Sequence, residues 1–125
     1  MQYMEESKKS VQEVVTCLEQ TVAKYKFGVQ HIHNVKEKLK SKGVDLKNEC
    51  QIVDICNPNI ALEFLSQDMS LSVIMPCKIS IYQEDNQTII AMNSLTQLVD
   101  DINPDLIQLA QDTQEILLQI IDDIK

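Results

Sequence analysis

The spacing of apolar and polar residues in the first third of the chain predicts two helices with a strand between them. After a capping box that begins at Ser10, apolar residues recur at helical spacing and predict a helix over about residues 11–25. A less regular alternation predicts a short strand over 27–33. Asn34 is a good N-cap for a second helix, which we expect to end at Gly43.

The rest of the chain predicts a buried strand, a short helix, a hairpin and a long final helix. The β-branched run over 51–56 is typical of a buried strand, and Pro58 opens a helix. Regular alternation over 73–82, a turn, and an apolar run over 88–92 predict a β-hairpin. A second Asn-Pro pair starts the last helix at residue 104. The short helix is expected to turn four apolar side chains inward: Ala61, Leu62, Phe64 and Leu65. This order of elements indicates an α+β fold, with helices covering an antiparallel-rich sheet.

The length and composition of the chain predict one cytoplasmic domain. With 125 residues, of which 44% are hydrophobic, the chain is long enough to bury a core, and we expect a single domain over 1–125. No apolar stretch approaches the roughly 18 residues that a membrane span needs, and the first residues lack the pattern of a signal peptide. We therefore expect no membrane partner and four reduced cysteines.

The charge of the chain argues against nucleic-acid binding. The net charge is −8, all eleven basic residues are lysines, and nine acidic residues fall within 84–125. Proteins that bind nucleic acids need a basic face and usually arginines. We expect the acidic side chains to lie on a solvated helix face that keeps the protein soluble. Two glycines in the whole chain are too few for a glycine-rich phosphate loop, which also excludes a nucleotide-dependent enzyme.

Two cysteines at predicted element boundaries are the main candidates for chemistry, and Cys56 is the first. In Cys56-Asn57-Pro58 the thiol ends a strand and precedes a helix, where amides and the helix dipole favour the thiolate. A lowered pKa would make Cys56 nucleophilic, metal-binding or oxidisable. The alternative is that Cys56 is a small buried residue that packs beside the turn.

The second candidate is the thiol of the motif Met75-Pro76-Cys77, which opens the next strand. Cys77 shares the inward side of that strand with the isoleucines that follow it, which favours burial as core filler. The proline before it removes a ladder donor and indicates a strand edge or bulge, where sites often form. If the strands over 51–56 and 75–82 are neighbours, the two thiols approach each other.

A pair of histidines is the candidate metal site. His31 and His33 stand two residues apart, so a strand places both rings on one face, roughly 7 Å apart. With Cys50 or Glu49 they would suit zinc, copper or iron. The alternative is two exposed histidines on the rim of a sheet. The sequence has no Cys-x-x-Cys motif, which excludes a zinc ribbon and a thioredoxin-type site.

The two cysteine motifs resemble those of a known family. The runs 55–58 and 75–82, with Ala61 between them, resemble the Cys-Asn-Pro box and the Leu-Pro-Cys box of the family called domain of unknown function 302. The resemblance spans roughly 8–122, with Met75 in place of leucine, a swap that conserves volume. It implies a TATA-binding-protein-like fold of the type β-α-β-β-β-β-α and usually a homodimer, with no assigned activity.

The leading hypothesis is therefore a homodimeric binding or sensing protein rather than an enzyme. A soft metal, a reactive sulfur species or a small cofactor would bind at Cys56, Asn57 and Cys77. One alternative is a thiol-dependent enzyme or redox carrier, with Cys56 as nucleophile and Cys77 as resolving thiol. Another is an interaction module in which the thiols only pack. Three apolar residues outside the main stripe of the last helix are expected to lie between two subunits: Ile107, Leu118 and Ile121.

Overall fold

A computed structural model describes residues 2–125, which form five strands and five α-helices. The strands are β1 (Gln2–Ser7), β2 (Gly28–Asn34), β3 (Cys50–Cys56), β4 (Cys77–Glu84) and β5 (Gln87–Asn93). The helices are α1 (Val11–Thr21), α2 (Val35–Ser41), α3 (Pro58–Gln67), α4 (Leu95–Ile102) and α5 (Ile107–Ile124). Short 3-10 segments extend α1, follow α3 and precede α5: Val22–Tyr25, Met69–Ile74 and Pro104–Leu106.

The strands form one antiparallel sheet in the order β1-β5-β4-β3-β2. Its register places six buried side chains of β3, β4 and β5 on the face that packs with the helices: Val53, Ile55, Ile79, Ile81, Ile90 and Met92. The opposite face carries the alternate positions, many of them polar: His31, His33, Asp54, Lys78 and Ser80. The sheet therefore has one apolar face under the helices and one face with polar groups.

The predicted α+β fold is confirmed, and most of the predicted elements are present. The helix over 11–25 is α1 with its 3-10 extension, which ends where Lys26 adopts a φ of 64°. Asp85 and Asn86, with φ of 51° and 65°, form the hairpin turn between β4 and β5. The implied order β-α-β-β-β-β-α also fits, with α2, α3 and α4 as additions. No helix within residues 2–125 is long and apolar enough to cross a lipid bilayer.

Two local predictions between β3 and β4 are wrong. Residues 73–76 are not part of a strand, because Asp68 accepts hydrogen bonds from the amide and hydroxyl of Ser70, at 2.9 and 2.6 Å, and starts a 3-10 segment. Leu62 does not face inward and is 67% exposed. Phe64 is the buried residue of α3, and two residues along a helix correspond to about 200° of rotation. Leu62 therefore lies on the opposite side of the helix.

The last helix exposes less apolar surface than its sequence predicts. Ile121 is buried in the core of its own chain, and Ile107 and Leu118 are half-buried. The helix packs against both α1 and α4, so two of its sides are covered. The Ser7 hydroxyl also donates to the Lys125 carbonyl at 2.9 Å, which holds the end of α5 against β1. Ile121 therefore leaves no apolar surface for a partner.

Candidate functional site

The two cysteine motifs meet at one end of the sheet. β3 ends at Cys56, β4 begins at Cys77, and the two strands are neighbours in which Ile55 lies opposite Cys77. The condition stated for an approach of the two thiols, that these strands are neighbours, is therefore met. The chain between them, residues 58–76, leaves the sheet at one motif and returns at the other. We call this segment the α3 flap; it contains α3 and the 3-10 segment that follows.

Few fully buried side chains hold the α3 flap to the rest of the protein. Its buried anchors are Phe64 and Leu71, while several other apolar residues are half-buried. Asn103 adds a polar contact, because its Nδ2 donates to Asp68 Oδ2 at 3.0 Å. Three large apolar side chains of the flap are exposed: Leu62, Met69 and Val73. The flap therefore covers the end of the sheet with a comparatively small apolar anchor.

A small apolar cavity lies under the α3 flap. Both cysteine motifs bound it, together with side chains of the sheet, the flap and α4, among them Phe27, Cys56, Phe64, Met75, Cys77 and Val99. Its volume is about 30 Å³, which is room for one or two water-sized groups. The Thr113 hydroxyl is also on the wall but already donates to the Leu109 carbonyl at 2.8 Å. The cavity therefore presents mainly apolar groups and two thiols.

Asn57 determines the electrostatics beside Cys56. Its side-chain oxygen accepts hydrogen bonds from the amides of Asn59 and Ile60, at 3.0 and 3.2 Å, and so caps α3. These amides are the groups that were expected to stabilise a thiolate at Cys56. Because Asn57 already uses them, the first turn of α3 offers Cys56 little stabilisation of negative charge. Asn57 thus acts first as a helix cap, whatever further role it has toward a ligand.

Burial sets the protonation of both thiols. It raises the pKa of Cys56 above its ordinary value, so the expectation of a lowered pKa is wrong. It also raises the pKa of Cys77, with a smaller contribution from the neighbouring Cys56, to about 11. A thiolate is the form that attacks electrophiles and ligates metals. At neutral pH both residues therefore stand as uncharged thiols in an apolar environment.

A larger cleft adjoins this cavity where β4 and β5 separate. The ladder between the two strands runs from their turn to the pair Ser80 and Ala91 and ends there, although β4 begins at Cys77 and β5 continues to Asn93. The cleft has a volume of about 240 Å³. Apolar side chains of the sheet, the flap, α4 and α5 line it, among them Val73, Met75, Ile79, Met92, Leu98 and Leu117. Both cavities share residues 74–77 as a common wall.

A polar cluster occupies the opposite face of the sheet. Asp54 is buried and bonds His33 Nε2 through one carboxylate oxygen at 2.8 Å, while the other accepts from Lys78 Nζ at 2.9 Å. Burial alone would raise the pKa of Asp54, but these two contacts outweigh it and hold the pKa below its ordinary value. The cluster is therefore a charge-assisted network built around one ionised carboxylate.

His31 and His33 lie on one face of the sheet as predicted, but their rings are closer than the predicted separation of roughly 7 Å, and Cys50 does not complete a metal site. The rings of His31 and His33 are 4.3 Å apart between centroids and meet edge to face. Cys50 is the first residue of β3 and lies opposite Tyr82 of β4, and burial raises the pKa of its thiol. Within residues 2–125 no three His, Cys, Asp or Glu side chains are grouped so that they hold a metal ion. His33 is instead engaged with Asp54.

Comparison with known proteins identifies the family. The family model described as domain of unknown function DUF302 matches residues 3–124. The chain belongs to the DUF302 family. It is similar to the crystal structure of an uncharacterized conserved protein DUF302 from Bacillus stearothermophilus, with 31% identity and a TM-score of 0.94. That similarity covers 99% of this chain and 98% of the other. A search of curated proteins finds no match.

The family match confirms the resemblance carried by the cysteine motifs of this DUF302 protein. It also extends beyond residues 8–122, to include most of β1 and the end of α5. Neither the family description nor the name of the solved protein specifies a ligand, a reaction or a partner. The site of this DUF302 chain therefore has to be interpreted from its own geometry.

Some residues of the site have no strong signal in the sequence. Asn93, Leu98 and Leu117 line the cleft only because β4 and β5 separate, a property of two strands that no local motif encodes. Asp54 had a visible signal, since an acidic residue within an apolar run needs a partner when the strand is buried. Its partners, His33 and Lys78, come from the two neighbouring strands.

Proposed function

We propose that this DUF302 chain is a binding or sensing protein for a small, largely apolar molecule. The ligand would occupy the space framed by the motifs of Cys56 and Cys77. The observation that carries the proposal is the pair of adjoining apolar cavities that share residues 74–77. Binding sites for small molecules are typically concave and apolar, with a few polar groups that fix orientation. Of the ligand types expected from the sequence, a small cofactor fits this lining best.

Metal binding and thiol catalysis have less support in the same geometry. Both need thiolates, and burial raises the pKa of Cys56 and Cys77. The Asn57 side chain also uses the helix amides that would otherwise favour a thiolate. The leading proposal is therefore an apolar ligand. The alternatives are a soft metal, a sulfur species and a nucleophilic role for Cys56.

Binding of 1-hexanol, followed by NMR of the amide groups, tests the proposal. We expect saturable shifts that centre on residues 74–77, because these line both cavities. Leu98→Trp reduces the room in the larger cleft and should weaken binding at least fivefold. Leu62→Trp makes the same substitution on the exposed side of the α3 flap and should leave binding unchanged. Shifts spread over the surface, equal in both variants, would contradict the proposal.

A two-fold homodimer in the cytoplasm remains part of the proposal. Its support is the family resemblance, since Ile121 is buried within its own chain. Light scattering at micromolar concentration should give twice the chain mass of 14.3 kDa. A mass of one chain would contradict the dimer and leave the cavities, which lie within one chain, as the site.

A further inference from the structure

The cleft between β4 and β5 exposes main-chain groups that a regular sheet would pair. Alternate residue pairs of an antiparallel ladder exchange two hydrogen bonds, and the last pair in this ladder is Ser80 with Ala91. Continued in the same register, Lys78 would lie opposite Asn93. These two residues instead line opposite sides of the cleft, and within residues 2–125 β4 and β5 have no pair beyond Ser80 and Ala91. A ligand in the cleft is therefore bordered by strand edges.

Among the residues within 2–125 that line the cleft, one is charged. Lys78 is the charged residue of the lining and Asn93 its amide residue, and the rest is apolar apart from the Cys77 thiol. Both polar residues alternate with the core residues Ile79 and Met92, so their side chains point to the polar face of the sheet. The chain as a whole carries a net charge of −8, and this lysine forms an ion pair with the buried Asp54. Apolar walls with one ammonium group and one amide suit a molecule with an apolar body and a single acidic head.

Lys78 is able to turn toward such a ligand without leaving a buried charge unpaired. Its ammonium donates to Asp54 at 2.9 Å, and its side chain is 59% exposed. Asp54 keeps its second contact, with His33 at 2.8 Å, if Lys78 moves. The ammonium therefore rests on the polar face of the sheet, and a ligand head group would reach it through the gap between β4 and β5.

We infer that the ligand of the cleft is a small monocarboxylic acid, with its carboxylate at Lys78 and Asn93 and its apolar chain against Leu98 and Leu117. This inference rests on the proposed function and names its ligand class. The cleft volume of about 240 Å³ is eight times that of the small cavity, so the cleft has room for a chain of several carbon atoms. Hexanoate, with eight non-hydrogen atoms, is the matched probe. One ammonium group and no arginine disfavour ligands with several phosphates.

NMR titrations with hexanoate, 1-hexanol and hexylammonium at pH 7 separate the head group from the apolar chain. We expect hexanoate to bind at least tenfold more tightly than 1-hexanol, and hexylammonium more weakly than both. The backbone amides of Lys78 and Asn93 should shift most with hexanoate. Lys78→Gln should reduce the affinity for hexanoate to that for 1-hexanol, without changing the latter. Lys125→Gln removes the same charge from an ion pair with Glu5 and should change neither affinity.

The outcomes distinguish this inference from the proposed function. If hexanoate and 1-hexanol bind the cleft equally well, or if Lys78→Gln weakens both alike, the carboxylate assignment is overturned and the apolar binding site stands. If hexylammonium binds as tightly as hexanoate, the assignment is likewise overturned. If none of the three shifts the residues of the cleft, the proposed function fails together with the inference. Preference for hexanoate that disappears with Lys78→Gln and persists with Lys125→Gln supports both.

Discussion

The buried thiol of Cys77 makes a quantitative prediction about stability at alkaline pH. Burial, with a smaller contribution from Cys56, raises the pKa of Cys77 from an ordinary value of 9.0 to about 11. The folded state therefore holds this proton more tightly than the unfolded state. The stabilisation is fully present below about pH 8 and is lost as the pH rises from 9 toward 11. The linkage relation gives a loss of about 1 kcal/mol between pH 8 and pH 10, and about 2 kcal/mol by pH 11.

Urea unfolding of the wild type and of Cys77→Ala at pH 8 and pH 10 tests this prediction. Lysines and tyrosines also titrate in this range, but they do so in both proteins, so the difference between the two pH dependences isolates Cys77. We expect the wild type to lose about 1 kcal/mol more than Cys77→Ala between the two pH values. Cys17→Ala keeps the Cys77 thiol and serves as the matched control. It should lose as much stability as the wild type between pH 8 and pH 10. Equal losses in the wild type and Cys77→Ala would refute the account of the buried thiol.

Three further predictions concern the cap, the carboxylate and the anchor of the flap. Asn57→Ala should lower the free energy of unfolding by about 1 kcal/mol through loss of the α3 cap, whereas Asn59→Ala at an exposed position should cost less than half of that in the same urea titration. The lowered pKa of Asp54 means that its charge stabilises the fold above about pH 4, so wild type should lose more stability than Asp54→Asn as the pH falls below that value. Phe64→Ala should cost about 3–5 kcal/mol, and Leu62→Ala about 0.5 kcal/mol or less, since Phe64 is buried and Leu62 is exposed.

Local sequence patterns predict most of this fold because helix caps and buried strands depend on residues that are close together in the chain. Ser10 and Asn34 begin helices through their side-chain oxygens, and both caps are present. The β-branched run of β3 is buried in the middle of the sheet. The error at Val73 has the same kind of cause, since alternation of apolar residues continues into a 3-10 segment in which Val73 is 78% exposed. Periodicity alone does not distinguish that segment from a strand.

The site is less predictable because it depends on relations between distant segments. The motifs of Cys56 and Cys77 indicate where the cavities lie, since each marks one end of the α3 flap. The protonation of Cys56 does not follow from its position before a helix, because Asn57 competes for the same amides. The cleft lies where β4 and β5 stop pairing. Residues that are distant in the chain, such as Leu117, form the rest of its lining.

A crystal structure of the protein with 6-bromo-1-hexanol tests the central claim most directly, because the anomalous signal of bromine locates the apolar chain. The account predicts a bromine peak in the cleft between β4 and β5, beside Cys77, Leu98 and Leu117. A cleft that stays without bromine at a saturating concentration would contradict the account, as would peaks confined to the exposed side of the α3 flap near Leu62 and Met69.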